Sequence, residues 1–514
     1  MSDVRPLTPF PVILSVSVAV LCIAYTWQGE AVGLVGDDAI YLLMADYFSP
    51  YDSAARAGAA FIMKFSGFPP LYPALLAVAG AGSRHILLAH WITALCIIFS
   101  AALYWYWLVK EGVGRHFALL MSGLFLSLPG TMILALDLWS EHLYLALTLL
   151  NLLLARHAGK TGRGWLGVAV TAGLVPLTRS AGLTFLVATW AFFIIHKAPD
   201  RWRLIAASVV PMFAWTLISL PFKSYVSYKG IFGNFFSVLT FSDLLPVMEF
   251  QMRNLWQGWH KSFDFQAHNY SVIAPALLLF AVPVGWWGRL KEARLDALYL
   301  PPYLVLIALW PSLNQMTRFL YVIMPFLLYY GFAGFGMMMK KYTTPGVVRM
   351  LRMLFLALIV FSCAPSTVQI LSRRMNPPAA GLAAYAGTAT WVESMGPLEG
   401  DMDLSILKHF ATVFREEAKY VEPDQCVLTA YPERFMFYAR RLAFPLPTLG
   451  VNQEEFDRGM SRCRYVQIFW LNTHPYYPPA YPLNRLKQQG KLVFVSKMSN
   501  DSNAPPVTGL LRLR

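Results

Sequence analysis

Charge is what this sequence has least of. Only 14% of its 514 residues are Asp, Glu, Lys or Arg, against 57% hydrophobic and 15% aromatic, and the mean hydropathy is +0.48. Soluble domains carry about 25% charged residues, so there are too few polar side chains here to cover a water-soluble surface. The five cysteines fit no zinc spacing such as CxxC, and the histidines form no HExxH pair. No GxxxxGK loop is present, which removes the usual cradle for a nucleotide phosphate. A basic face with interleaved stacking aromatics is missing too, so the net charge of +14 is no nucleic-acid footprint. Internal repeats and low-complexity tracts are likewise absent.

What is present is long apolar runs, each near the roughly 20 residues that span a bilayer. They lie near 10–28, 86–109, 117–135, 138–155, 164–179, 181–196, 204–222, 271–288, 297–312, 319–339 and 350–369. The sequence therefore predicts a polytopic α-helical membrane protein with about 11, at most about 13, transmembrane helices. The pair flanking "VPLTRS" is interrupted by Pro176 and Arg179. The first run, "PVILSVSVAVLCIAYTW", has no convincing small-residue cleavage site and reads as a retained membrane helix. Cys22, Cys96 and Cys363 lie in or beside apolar runs and read as small packing residues.

Short basic loops carrying Lys110 and Arg115, Arg156, Lys160 and Arg163, Lys197, Arg201 and Arg203, Arg289, Lys291 and Arg294, and Lys340, Lys341, Arg349 and Arg352 share one side by parity. That side is the cytoplasmic one. The opposite side collects the long segments 29–85 and 223–270 and everything after about residue 370. The chain divides into a transmembrane domain over 1–374 and a small α/β extracytoplasmic domain over 375–514. In the latter, "CVLTAY", "RLAFPLPT", "RYVQIFWL", "KLVFVSKM" and "TGLLRLR" read as strands and "PERFMFYARR" as a helix. Cys426 and Cys463 both fall there and are candidates for a disulfide if that domain lies outside the cytoplasm.

The chemistry-bearing residues gather on the same outer side. In "GDDAIYLLMADYF", Asp37 begins a helix whose Ile40, Leu43, Met44 and Tyr47 share a face, predicting an amphipathic helix on the membrane surface. One aspartate serves as a helix cap; the adjacent Asp38 is not needed for capping, so one of the two is free to take a proton from a bound hydroxyl. "FPPLYPALL" is a stiff bend that re-enters the membrane or holds Tyr72 against a ligand. Asp137, Glu141 and His142 sit at the outer end of a helix, where polar residues also simply mark the interface. Arg179 and Arg318, at outer helix ends, either pair with an acid such as Glu141, reach headgroups, or grip a phosphate. The 223–270 segment mixes Lys223, Tyr225, Tyr228, Lys229, Arg253, Trp256, Trp259, His260 and His268, as membrane interfaces and sugar-binding loops both do.

Taken in order, these segments resemble the GT-C superfamily of integral-membrane glycosyltransferases, in the branch of protein O-mannosyltransferases and lipid A aminoarabinose transferases. "GDDAIYLLMA" is similar to the branch's Asp-Glu-x-x-Tyr motif, with Asp38 where Glu is commoner. "PPLYPALL" looks like its proline–tyrosine segment, "SEHLYLALTLLNLLLAR" its Ser-Glu helix, "LTRSAGLTFL" its Thr-Arg/Lys element and "RFLYVIMPFLLYYGF" its late Arg helix start. "CVLTAYPERFMFYARRLAFPLP" resembles a recurrent piece of the soluble domain. The resemblance implies transfer of a sugar, hexosyl or pentosyl, from a polyprenyl-phosphate donor to a glycolipid, polysaccharide or protein acceptor of the cell envelope, with inversion. By that analogy Asp37 is the base, Asp38 and Tyr41 orient it or the acceptor, and Arg179 and Arg318 stabilise the phosphate leaving group; Tyr72 and Glu141 belong to the same site. A divalent metal is neither required nor excluded by the sequence. The rival expectation is a flippase for lipid-linked sugars, which would favour internal repeats and midplane charges.

Overall fold

The computed structural model describes residues 37–65, 68–135, 137–220, 244–264, 269–310, 316–340, 342–375, 413–429, 432–445, 461–469, 490–497 and 506–513. The first apolar run with Cys22, and Lys223, Tyr225, Tyr228, Lys229 and His268, lie outside them.

The molecule is mostly helical, with a small sheet near its C-terminus. Four described helices are long and apolar enough to cross a membrane: Ile86–Lys110, Arg201–Ser219, Ile273–Lys291 and the first part of Pro345–Met375. Other expected spans are divided. The 117–135 run forms Arg115–Ser127 and Pro129–Leu134, and the 319–339 run forms Met316–Tyr321 and Met324–Lys340. The pair around Pro176 is Trp165–Leu174 and Gly182–Ile195, joined through a 3-10 turn at Val175–Leu177. At 10 and 14 residues, these rise only about 15 and 21 Å and fall short of a bilayer core. An uninterrupted set of about eleven spans is therefore not what the described residues form. Proline and polar side chains break several runs at the end where Asp37 lies.

The principal helices are α1 Asp38–Phe48, α2 Leu71–Val78, α3 Ile86–Lys110, α4 Glu141–Thr161, α5 Gly182–Ile195, α6 Leu244–Phe263, α7 Ile273–Lys291, α8 Leu295–Ala308, α9 Met316–Tyr321, α10 Met324–Lys340 and α11 Pro432–Ala439. Where α7 crosses α10, a Cβ on Gly285 would collide with the Tyr330 carbonyl and one on Gly334 with that of Ala281. Small residues let the two backbones approach closely, which is how helices associate where lipid removes the hydrophobic drive.

Five strands follow, β1 Cys426–Thr429, β2 Leu442–Pro445, β3 Tyr465–Phe469, β4 Gly490–Lys497 and β5 Pro506–Leu513, each on a stretch expected to be a strand. They pair in the order β2-β1-β3-β5-β4. The β1–β2 and β1–β3 pairings are parallel, while β3–β5 and β4–β5 are antiparallel. A parallel neighbour demands a crossover, and α11 supplies it between β1 and β2. Cys426 and Cys463 form a disulfide with their Cα atoms 5.0 Å apart, stapling β1 to the approach of β3. The 37-residue separation corresponds to about 4 kcal/mol of loop-closure entropy. Replacing both cysteines by serine should therefore lower the thermal transition of the sheet, followed by circular dichroism; an unchanged transition would deny the bond a structural role.

One expectation for α1 is corrected. It is not a one-sided helix on a membrane surface: every residue from Asp38 to Asp46 is buried. Its apolar side chains share one core with α2, with Phe414 and with Val427, Phe435 and Phe444 of the C-terminal unit. A helix apolar on nearly all faces needs cover all round, and the sheet unit provides the second side. Arg440, just past α11, donates to Asp46 Oδ2 at 3.0 Å and also to Ser83, while the Ser83 amide donates to Asp46 Oδ1 at 2.9 Å. Gly82 permits this approach, because a Cβ there would overlap the Asp46 carboxylate.

Candidate active site

Asp37 occupies the N-cap position of α1, but its side chain makes no capping hydrogen bond. It accepts instead from Arg318 Nη2, at 2.7 Å. The carboxylate has a purpose other than ending a helix.

Arg318 is held from three directions. Nη2 reaches Asp37, Nε donates to Glu141 Oε1, and the guanidinium carbon stands 3.6 Å over the Trp139 ring. Arg179 Nη1 meets the same Glu141 oxygen, with its guanidinium over Phe319. One carboxylate oxygen thus bridges two guanidinium groups. Glu141 is 1% exposed, Arg318 5%, Arg179 15% and Asp37 25%, so the opening of the cluster lies on the Asp37 side. Tyr41 joins the network through Ser140: its hydroxyl lies 2.9 Å from Ser140 Oγ, which donates to Glu141 Oε2 at 3.4 Å. Tyr72 stands behind Tyr41, their rings edge to face at 5.2 Å, with its hydroxyl 2.7 Å from Thr93 Oγ1. Tyr72 packs the ring of Tyr41 rather than meeting the charged groups.

Local structure explains the convergence. The break at Pro176 ends one short helix so that Arg179 falls between two helix ends at the level of Glu141, the first residue of α4. Arg318 lies in the short helix α9, whose last residue, Tyr321, shares a hydrogen bond of 2.8 Å with His142 Nδ1. His142 also contacts the Leu134 carbonyl at 3.1 Å through Nε2, which spends both ring nitrogens on structure. Trp259 and His260, read as part of a loop, sit inside α6 and bond Pro275 O and Ser271 Oγ, each at 3.0 Å.

Trp139 and Glu433 were not singled out in the sequence, and Asp137 was singled out there without a role. Trp139 is the platform under Arg318. Asp137 is buried, and burial with the nearby charge of Asp38 pushes its carboxyl up to about 8, against the lowering influence of Arg434. Glu433, on α11 of the C-terminal unit, is pushed up to about 7 by burial and by the charge of Asp37, again opposed by Arg434. Burial likewise raises the Tyr41 phenol, followed by the influence of Asp37. Only the packing of α11 against α1 reveals Glu433 and Arg434, since some 390 residues separate them from Asp37.

A raised carboxyl carries a pH signature. Glu433 binds its proton more tightly folded than unfolded, so its contribution is complete below the ordinary glutamate value and is lost as pH rises through about 7. Wild-type thermal stability should therefore fall across that window relative to Glu433→Gln; parallel profiles would show that Glu433 keeps an ordinary affinity.

Among the described residues no group of three or more His, Cys, Asp or Glu side chains is placed to hold a metal ion. Asp37 and Glu141 are already engaged by arginines.

No family model matches the chain, and no curated protein does. Among solved structures it is similar to ArnT from Cupriavidus metallidurans bound to undecaprenyl phosphate, at 13% identity and a TM-score of 0.48, covering 98% of each chain. The apo state of the same ArnT gives 13% and 0.48 over 97% of each chain. The oligosaccharyltransferase of Archaeoglobus fulgidus, tethered to an acceptor peptide, gives 13% and 0.48 over 90% of this chain and 69% of that one.

Proposed function

We propose that the chain is a glycosyltransferase of the GT-C type, which moves a sugar from a polyprenyl-phosphate donor to a hydroxyl of a cell-envelope acceptor. The observation that carries this reading is the cluster Asp37–Arg318–Glu141–Arg179, closed on one side by Trp139 and open on the side of Asp37. Asp37 takes the proton of the acceptor hydroxyl as its oxygen attacks the anomeric carbon. The bond to the donor phosphate breaks on the opposite face, which inverts the configuration. Negative charge then develops on the leaving phosphate, where Arg179 and Arg318 are already oriented by Glu141, a preorganised electrostatic stabilisation. No side chain has to reorganise before the charge appears. Tyr41 holds α1 and its N-terminal aspartate in register with Glu141 through Ser140, and Asp38, buried beside Asp37, is the second acid of the motif.

A lipid-borne phosphate lies at headgroup level, and the cluster sits at the ends of apolar helices, beneath the sheet unit. The Cys426–Cys463 bond supports an extracytoplasmic location for 375–514, since such bonds persist in oxidising compartments. The transmembrane domain would then be 1–374, with the extracytoplasmic loops 29–85 and 223–270. A trial of the purified protein with defined polyprenyl-phosphate sugars and envelope acceptors tests the reading. Product with an inverted anomeric centre is expected. Lipid translocation without transfer would move the assignment to a flippase.

A further inference from the structure

A second charged site lies at the opposite ends of the same helices. The cavity there, of about 160 Å³, is lined by Arg156, Lys160, His196, Arg289, Arg294 and the acids Glu111 and Asp296, with apolar walls that include Trp107 and Phe192. Both α4 and α3 run from one site to the other. Along α4 from Glu141 to Arg156 and Lys160 the rise is about 22–28 Å, and the 25 residues of α3 span about 37 Å to Glu111, close to the roughly 30 Å of a bilayer core. The cavity is thus at the level of the other headgroup layer.

Its charges do not cancel. Arg289 is fully committed: it holds both oxygens of Asp296 at 2.6 Å each and Glu111 Oε2 at 2.7 Å, packed between Trp107 and Tyr329. Arg156 takes the other Glu111 oxygen through Nη1. Both acids of the cavity are then spent on those two arginines. Arg156 Nε remains buried without a hydrogen-bond partner, a costly state for a guanidinium donor. Lys160 is exposed with no carboxylate within ion-pair distance among the described residues, and Arg294 is met only by the exposed Glu292. Ile194 and Ile195, which precede His196 of the cavity wall at the end of α5, stand 46% and 51% exposed, an apolar surface at the same helix end.

We propose that this cavity binds a phosphate-bearing anion, the phosphodiester of an anionic phospholipid, with the head on the Arg156 guanidinium, Lys160 and Arg294 and the acyl chains along Ile194 and Ile195. The volume admits roughly five waters or one tetrahedral headgroup anion. Basic pockets between membrane helices recognise headgroups in this way.

The full chain, reconstituted in nanodiscs of equal parts phosphatidylcholine and phosphatidylglycerol, is released for native mass spectrometry. Wild type should retain phosphatidylglycerol in preference to phosphatidylcholine, and Lys160→Ala with Arg294→Ala should lower that retention about thirtyfold. Both side chains are at the surface, and an unchanged thermal transition of the variant confirms its fold. Lys160→Arg, which keeps the charge, should retain the lipid. Displacement of the lipid by inorganic phosphate in wild type but not in the double variant would support the same anion site with a soluble occupant. Equal retention by wild type and the double variant, or no preference for the anionic lipid, would overturn the proposal.

Discussion

Asp37→Asn is expected to lower transfer by about 10²–10⁴-fold, the range over which a positioned base contributes. An asparagine fills the same space, and its amide oxygen can still accept from Arg318 Nη2, so α1 should keep its place. What is lost is the capacity to hold a proton. Single-turnover transfer from a defined polyprenyl-phosphate sugar is the measurement, with the thermal transition as the check on folding. Asp38→Asn is the comparison. Asp38 is 0% exposed while Asp37 is 25% exposed and nearest the opening, so Asp37 is the residue an acceptor can reach. Wild-type rates in Asp37→Asn together with loss in Asp38→Asn would transfer the role to the neighbour.

The second large effect concerns folding. Glu141→Gln removes the single carboxylate shared by Arg179 and Arg318, and both guanidinium groups then face each other in a buried site. Removing one partner of a buried ion pair costs about 3–5 kcal/mol, because the remaining charge has been taken out of water without compensation. The variant should unfold well below wild type in detergent, or fail to accumulate. Glu141→Asp keeps the charge on a shorter arm and should fall between the two. A Glu141→Gln protein as stable as wild type would mean that the arginines are held by Trp139, Phe319 and Asp37 alone. The two experiments separate the two aspects of the cluster, since Asp37 should affect rate with little change in stability and Glu141 should affect both.

Much of this arrangement was legible in the residues. The scarcity of charge and the length of the apolar runs announced a membrane protein, because neither can be accommodated in a water-soluble surface. All five C-terminal strands and α11 fell where short β-rich runs and their turn residues placed them. Of the residues singled out, Arg318 meets both Asp37 and Glu141, Arg179 meets Glu141, and Tyr41 reaches Glu141 through Ser140. Parity of the apolar runs was the ground for expecting them at one end, since each crossing reverses the chain. Less legible was α1. Its apolar residues suggested one face, yet every residue from Asp38 to Asp46 is buried, because α1 shares its core with residues of the sheet unit that lie far away in the chain.

By itself the sequence determined the class of protein, the local elements and the chemical types available at each helix end, all properties of composition and short-range periodicity. Only tertiary structure decided which charges meet. It took Asp37 from a helix cap to a partner of Arg318, made one oxygen of Glu141 common to two arginines, set Tyr72 behind Tyr41, and brought Glu433 and Arg434 to the site from the far end of the chain. Side-chain electrostatics act over a few ångströms, whereas these residues lie tens to hundreds of positions apart, so packing alone determines their pairing.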